Sequence, residues 1–432
     1  MTPKRGAGFK PAPLFGVQNE CSLHRRAAVR CNHSTRHSEW IDVAAIGRTA
    51  RDNREVSPGP DGLGTLGARE AKRGRSLRVL VLWADEKSAN MGVRALGAGT
   101  AALLGRVFPR ADFTFLNYGT RTAPVSLDWR NLVRQLHPRS ELARWLSQFD
   151  LVVDSRSGDS FTDIYGFARL ATMSILAEVV SLSRVPLVLG PQTLGPFHTV
   201  HARALARRAM GRASLVMARD SASARCAEEL GHPAHVLTTD VVFAIPRSAA
   251  AVEHDVVVNV SGLLWNDNPH VDSAEYADVV VDLCRRLIGD GRRVTLLAHV
   301  IDSPAADNDV PAIHQAWDRI GDEAVRIVVP ESLRDVRSVL ASARVMVGSR
   351  MHACLNALSC GTPAIPLAYS RKFAPLLSDL GWGHTVDLRE SDNPAGEVLT
   401  EVDKDMSRSV ALLGERAQEL LGLAEASLRS LR

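Results

Sequence analysis

Short apolar runs alternate with helical patterns through most of this chain, and this alternation limits the fold more than any other feature. The first run, Leu77-Arg-Val-Leu-Val-Leu-Trp83, is apolar apart from Arg78, as expected for a strand buried on both faces of a parallel sheet. Such runs separated by helical patterns favour parallel strands joined by right-handed crossovers. In the first half, further strands are predicted at residues 112–116, 151–154, 185–189 and 215–218, and helices at 92–106, 162–183, 201–211 and 221–230.

The alternation stops at residues 245–254 and restarts with an apolar run at 256–260, which indicates two domains. We therefore predict an α/β fold with two Rossmann-like, doubly wound parallel sheets, residues 76–245 and 254–400, facing a central cleft in a GT-B-like arrangement. Residues 403–432 carry an amphipathic helical pattern. We expect this helix to pack across both domains; the alternative is a helix used for self-association.

The basic charge of the chain is concentrated at its N-terminus. Residues 1–75 hold 14 Lys and Arg against 7 Asp and Glu, which leaves 52 − 14 = 38 basic and 48 − 7 = 41 acidic residues for the rest. The segment has no helical or strand periodicity and no interleaved aromatics, so we expect a disordered extension that folding does not need, and no nucleic-acid partner. Apolar runs long enough for a membrane span and the apolar core of a secretory signal are lacking, so cytoplasmic residence is expected, with at most peripheral membrane association.

A polar cluster stands where one predicted strand, residues 345–347, runs into a predicted helix at 351–359. Ser349, Arg350 and His352 occupy this junction. In an open parallel sheet, ligands bind at the carboxyl ends of strands, where helix N-termini expose unpaired N–H groups. The guanidinium fork of Arg350 suits phosphate or carboxylate, and the junction therefore predicts a site for an anionic substrate.

Other predicted strand ends carry comparable residues. Asn90 opens a helix after the first strand, Gln192 lies between two Gly-Pro pairs, and His299 ends a strand, although a lone histidine is more often a core residue. Four strand-end cations would repel one another in one cleft without a bound anion: Arg219, Arg350, Arg371 and Lys372. The six cysteines lack metal-ligand spacing, so neither a metal site nor a cofactor is expected.

The order of these motifs resembles the polysaccharide pyruvyl transferases over about residues 77–372. The matching motifs are Asn90-Met-Gly-Val93, Ser157-Gly-Asp-Ser160, Gln192-Thr-Leu-Gly-Pro196, Arg219-Asp220, Arg350-Met-His352 and Tyr369-Ser-Arg-Lys372. Two positions depart from the family pattern. Val93 stands where the family usually has Asp, and Arg156-Ser157 replaces part of a glycine run.

The resemblance implies transfer of pyruvate from phosphoenolpyruvate to two hydroxyls of a saccharide, which gives a cyclic ketal and phosphate. Such a reaction would serve exopolysaccharide or cell-surface glycan biosynthesis, with the acceptor sugar, and any lipid or nucleotide attached to it, left open. His352 is the expected general acid, because imidazole exchanges protons near neutral pH. The other expected roles are donor binding by Arg219, Arg350 and Lys372, an acceptor side with Asp159 as a catalytic residue and Asp163, and further substrate contacts by Asn90, Gln192 and His299.

Two other functions remain open from the sequence. A sugar-nucleotide glycosyltransferase of the GT-B type shares the predicted architecture, but it needs a base-stacking aromatic and a carboxylate for the ribose near the second domain. Glu331 is the only well-placed carboxylate in the sequence. The second of these functions is non-catalytic saccharide binding, because Val93 stands where the family usually has an acidic residue.

Overall fold

The computed structural model describes residues 76–117, 122–247, 250–303 and 307–431. These residues belong to one compact unit. The extension expected over residues 1–75 lies outside the described residues. None of the described helices is long and apolar enough to cross a membrane.

The first half of the described chain forms a parallel sheet of six strands in the order β2-β1-β3-β4-β5-β6. Its central strands are buried along their whole length, which explains their apolar sequences. The strands are β1 (Arg78–Leu82), β2 (Asp112–Leu116), β3 (Leu151–Asp154), β4 (Leu187–Gln192), β5 (Leu215–Ala218) and β6 (Val236–Leu237). The helices are α1 (Met91–Val107), α2 (Trp129–Arg134), α3 (Glu141–Leu146), α4 (Phe167–Leu182), α5 (Val200–Met210) and α6 (Ser221–Glu229), followed by a 3-10 turn at Val241–Ala244.

The second half forms another six-stranded parallel sheet within the described residues, in the order β12-β11-β10-β7-β8-β9. Its strands are β7 (His254–Asn259), β8 (Val294–Leu297), β9 (Arg326–Val328), β10 (Ala343–Gly348), β11 (Ala364–Ala368) and β12 (Val386–Asp387). Its helices are α7 (Gly262–Trp265), α8 (Ser273–Gly289), α9 (Asp309–Ile320), α10 (Leu333–Ala341), α11 (Met351–Cys360), α12 (Phe373–Asp379) and α13 (Pro394–Val402). The predicted fold class, two doubly wound parallel sheets with alternating helices, is confirmed.

The C-terminal helix α14 (Ser407–Arg429) contacts both halves. It packs on α1, β5, β6 and the 3-10 turn of the first half and on α11 of the second. Two hydrogen bonds also hold the helix in this position. The Thr238 hydroxyl donates to the carbonyl of Leu420 (2.8 Å), and the Gln418 amide donates to the carbonyl of Phe243 (2.9 Å). Its apolar face is therefore buried against its own chain.

The helix predicted at residues 162–183 begins later than its sequence pattern suggests, at Phe167. The carboxylate of Asp163 accepts backbone N–H groups of His198 and Thr199, which holds this stretch in a loop. Gly166 then adopts a φ of 93° directly before the helix, a left-handed conformation that interrupts helical geometry. A polar loop consequently follows β3 instead of an extra helical turn.

Candidate functional site

The carboxyl-end loops of the two sheets meet through backbone hydrogen bonds. The N–H of Met91, at the start of α1, donates to the carbonyl of His299 after β8 (3.0 Å). The N–H of Ile301 donates to the carbonyl of Ala89 (2.8 Å). These bonds place the segment after β1 against the segment after β8, at the edge where parallel-sheet proteins bind ligands.

A buried carboxylate, Asp240, lies between Arg219 of the first half and His352 of the second half. Its Oδ2 accepts a hydrogen bond from Nη1 of Arg219 (3.0 Å) and lies 3.5 Å from Nε2 of His352 at the start of α11. Burial works to raise the pKa of Asp240, but His352, Arg219 and the Val242 N–H outweigh it and lower that pKa to about 2. Asp240 is therefore an anion that holds Arg219 and orients His352.

Several polar atoms of Arg219 and of residues next to Arg219 or His352 are buried and make no hydrogen bond with other described residues. They are Nε and Nη2 of Arg219, both amide atoms of Gln192, and Nε2 of His299. Arg219 and Gln192 are fully buried, and His299 is 1% exposed. Each unpaired buried group costs roughly 1–3 kcal/mol, and more when it is charged. A ligand that accepts hydrogen bonds, in particular an anion, would satisfy the nitrogens of Arg219 and Gln192, whereas Gln192 Oε1 needs a donor and His299 Nε2 can take either role.

His299 is a neutral donor or acceptor in this cluster. Burial, with the nearby His352 and Arg350, holds the pKa of His299 well below its ordinary value. Its backbone N–H donates to Asp309 Oδ2 (2.9 Å), which fixes the residue at the end of β8. The ring can therefore hydrogen-bond a ligand without adding charge.

Arg350 is anchored inside the protein. Its Nε and Nη2 donate to Oδ1 of Asp309 (3.1 and 2.6 Å), and Nη2 also donates to the carbonyl of Asp307. The backbone N–H of Arg350 donates to Asn259 Oδ1 (3.0 Å). Burial works to lower the pKa of Arg350, but Asp309 raises it. Through these contacts, the Arg350 side chain holds the loop before α9 in position.

A second ion pair joins the halves at Asp159. Its Oδ2 accepts from the Lys372 ammonium (3.2 Å) and from the Tyr165 hydroxyl (2.9 Å). Burial works to raise the pKa of Asp159, but Lys372 and Arg219 lower it to about 2, and the same pairing raises the pKa of Lys372 against the opposing effect of burial. Asp159 is consequently ionised and a weak proton acceptor.

Asn90 and Gly92 support His352 from the first half. The Asn90 side chain caps α1 by accepting the N–H of Gly92 (2.8 Å). A Cβ added to Gly92 would lie 2.9 Å from Nδ1 of His352. The absence of a side chain at this position lets the imidazole pack directly against the start of α1.

The contacts of Asp163 separate it from this cluster. Its Oδ2 accepts the N–H groups of His198 (2.9 Å) and Thr199 (3.0 Å), while Oδ1 lies 2.9 Å from the His198 ring. Both oxygens are thus used to hold the loop before α5, which does not favour the expected contact with an acceptor. Arg371 likewise donates to the carbonyl of Gly195 (2.8 Å).

The loop after β3 is strained where it departs from the family pattern. Arg156 and Ser157 have φ values of 47° and 51°, in the left-handed region that glycine adopts at least cost. The fully buried Arg156 side chain binds Asp154 through Nε (2.7 Å) and lies over the Phe161 ring, 4.1 Å from its centroid, while its Nη1 and Nη2 make no hydrogen bond with other described residues. The buried ion pair between Arg156 and Asp154 therefore holds this loop in place.

Sequence reasoning missed Asp240, Asp309 and Tyr165. Asp240 follows β6, a strand of only two residues that gives no clear apolar run. Asp309 lies in the first turn of α9, where an acidic residue is common for helix stability alone. The available sequence signal for Asp240 was an acid that follows two threonines, Thr238-Thr-Asp240. The structure shows that both threonines are buried. In the described part of the chain, no group of three or more His, Cys, Asp or Glu is placed to hold a metal.

Fold and site together define the class: a protein with two Rossmann-like sheets whose strand ends enclose buried, unpaired hydrogen-bond donors. The model of the polysaccharide pyruvyl transferase family matches residues 90–371, more than half of the chain, and the chain belongs to that family.

One curated relative is the amylovoran biosynthesis protein AmsJ of Erwinia amylovora, 23% identical over 257 residues. The match covers 55% of this chain and 60% of that protein. The fold is similar to the crystal structure of a putative UDP-N-acetylglucosamine 2-epimerase from Listeria monocytogenes (TM-score 0.53, 9% identity, 81% of this chain and 94% of that one). It is also similar to UDP-GlcNAc 2-epimerase from Neisseria meningitidis (TM-score 0.50, 10% identity, 81% and 99%). At these identities the likeness concerns the fold alone.

Proposed function

We propose that this protein transfers the pyruvyl group of phosphoenolpyruvate to two hydroxyls of a saccharide and releases phosphate. Membership of the family supports pyruvyl transfer in polysaccharide biosynthesis. The observation that carries the donor assignment is the set of buried, unpaired donors of Arg219, Gln192 and His299 beside His352. Phosphoenolpyruvate carries a phosphate and a carboxylate, both strong acceptors for such groups.

His352 is the proposed general acid. As imidazolium, it delivers a proton to the methylene carbon of phosphoenolpyruvate, and a cation develops at C2. Asp240, 3.5 Å from Nε2, stabilises the charged ring before transfer and fixes its orientation. Arg219 and the neutral His299 bind the donor, while Arg350 keeps the surrounding loop in place through Asp309.

Two hydroxyls then replace the phosphate in sequence. The first attacks C2 and passes its proton to the now neutral His352. The C2–O bond to phosphate breaks, phosphate leaves with the bonding electrons, and a second C2 cation forms. The second hydroxyl attacks this carbon, and its proton goes to phosphate or water. Two C–O bonds and one C–H bond have then formed, while the C2–O bond to phosphate, the π bond between C2 and C3 and the two hydroxyl O–H bonds have broken.

The acceptor side is formed by Asp159, Tyr165 and Lys372. Because the pKa of Asp159 is lowered to about 2, we assign this carboxylate to orienting an acceptor hydroxyl rather than to removing its proton. Lys372 neutralises Asp159 and remains close enough to contact the donor or the acceptor. No resident cofactor or metal takes part in this scheme.

Thermal shift and phosphate release test the proposal together. Phosphoenolpyruvate should raise the melting temperature, because a ligand that binds only the folded state stabilises it, whereas uridine diphosphate sugars should not. Phosphate should appear only when a suitable glycan acceptor is also present. Arg219→Lys keeps a positive charge near Asp240 but loses the guanidinium fork, so it should weaken the shift; Arg389→Gln, at an exposed ion pair, is the matched control. A shift with a nucleotide sugar alone contradicts the donor assignment.

A further inference from the structure

Four large apolar side chains are exposed around the ends of two adjoining loops of the first half. Ile164 (52%) and Tyr165 (49%) lie in the loop before α4, and Phe167 (36%) and Val200 (80%) are the first residues of α4 and α5, which follow these loops. We call these residues the apolar patch. The hydrogen bonds from His198 and Thr199 to Asp163 hold the two loops side by side. The exposure is therefore built into a fixed surface and does not come from scattered single residues.

A basic stripe borders the apolar patch. Val200, Arg203 and Arg207 are exposed at spacings of three and four residues on α5, which places them along one face of the helix. Arg169 adds a guanidinium 5.6 Å from the centre of the Tyr165 ring. Asp163 is engaged by the backbone N–H groups of His198 and Thr199, and Arg203 donates to the backbone carbonyl of Glu229 (3.4 Å).

From this combination we infer that the apolar patch and the basic stripe bind an anionic lipid bilayer. Apolar tips beside a row of arginines match the two attractions that hold proteins at such a surface: insertion of side chains below the headgroups and attraction to anionic lipid. Charge complementarity selects a lipid surface over a neutral apolar partner. The inference is independent of the proposed chemistry, although Tyr165 also donates to Asp159, so a bound membrane would lie next to the acceptor side.

Sedimentation of the full chain with vesicles tests this inference. Vesicles of equal parts phosphatidylcholine and phosphatidylglycerol should bind the protein, and vesicles of phosphatidylcholine alone should bind it at least about tenfold less. The triple variant Ile164→Ser, Phe167→Ser, Val200→Ser should lose about tenfold in binding to the anionic vesicles. Arg203→Ser with Arg207→Ser should lose a similar factor, mainly at low salt.

The matched control is Leu412→Ser with Leu423→Ser, two leucines exposed to a similar degree (54% and 52%) on α14. This variant should bind the vesicles like the unmodified protein. Unchanged binding by the triple variant overturns the inference, because binding would then come from another part of the chain, such as its basic N-terminal residues. The inference is also overturned if light scattering shows a dimer that the triple variant dissociates, since the apolar patch would then join two copies of this chain.

Discussion

Replacing Asp240 with Asn removes a buried carboxylate that Arg219 and His352 both face, while it keeps the size of the side chain. Arg219 is fully buried, and its Nε and Nη2 already make no hydrogen bond with other described residues. Without the carboxylate, the buried guanidinium loses its charge partner at 3.0 Å and keeps only the more distant Asp220 carboxylate, 3.8 Å from Nε, among its ion pairs in the described part of the chain. We therefore expect a large loss of stability together with a gain in affinity for added anions.

The magnitude follows from the burial of the pair. Breaking a buried ion pair by removing one partner costs about 3–5 kcal/mol. Because Asn still accepts one hydrogen bond from Arg219, the lower end of this range, about 3 kcal/mol, is expected. For a folded body of this size, 1 kcal/mol corresponds to about 2 °C, so the melting temperature should fall by about 6 °C.

Inorganic phosphate should restore part of this loss, since it supplies the missing negative charge to Arg219. A ligand at 100 times its Kd adds about 2.7 kcal/mol of stability. Melting temperatures of the Asp240→Asn variant and the unmodified protein, each with and without phosphate, provide the assay. Asp282→Asn is the control, because Asp282 forms an exposed pair with Arg286 (2.9 Å) that should contribute less than about 1 kcal/mol. If Asp240→Asn behaves like this control, without phosphate rescue, the reasoning about the buried pair is refuted.

Three further predictions concern His352, Gly92 and Asp159. His352→Ala should reduce turnover by a factor of about 10² to 10⁴ with little loss of stability. His352→Gln should reduce turnover by a similar factor, because an amide can hydrogen-bond but cannot protonate carbon. Near-normal turnover by the Gln variant would show that His352 only binds the substrate. Gly92→Ala places a Cβ 2.9 Å from Nδ1 of His352, so turnover should fall about tenfold or more, whereas Gly105→Ala on the same helix, with no atom within 4 Å of the added Cβ, should leave turnover unchanged. Asp159 has a pKa of about 2 in the folded protein against an ordinary 3.8, so its contribution is present above pH 3.8 and is lost as the pH falls toward 2. Denaturant titrations should accordingly show the unmodified protein losing roughly 2 kcal/mol more than Asp159→Asn between pH 4 and pH 2, and parallel pH profiles would contradict this.

Strand positions were predictable wherever a buried strand forms a continuous apolar run. Leu151–Asp154 and Leu215–Ala218 have the bounds that their sequences predict. The two-residue strands β6 and β12 were not predicted, because they are too short to show periodicity. The late start of α4 also could not be predicted, since it depends on a contact between Asp163 and a loop 35 residues away.

The partners of the candidate site residues were less predictable than the residues themselves. Arg219, Arg350 and His352 stand at visible strand ends, which is why the sequence drew attention to them. The counter-ion of Arg219 is Asp240, 21 residues away in the sequence. The counter-ion of Arg350 is Asp309, 41 residues away. Such pairings depend on how loops of neighbouring strands meet in space, and a single sequence carries no direct signal for that arrangement.

Phosphoenolpyruvate labelled isotopically at C2 tests the central proposal most directly. The protein would be incubated with this donor and candidate glycan acceptors, and the products followed by carbon NMR and mass spectrometry. The proposal predicts that the C2 signal changes from an alkene carbon to a ketal carbon and that the acceptor gains the mass of pyruvic acid less water. Release of free pyruvate with an unmodified acceptor, or glycosyl transfer from a nucleotide sugar in place of donor consumption, would contradict it.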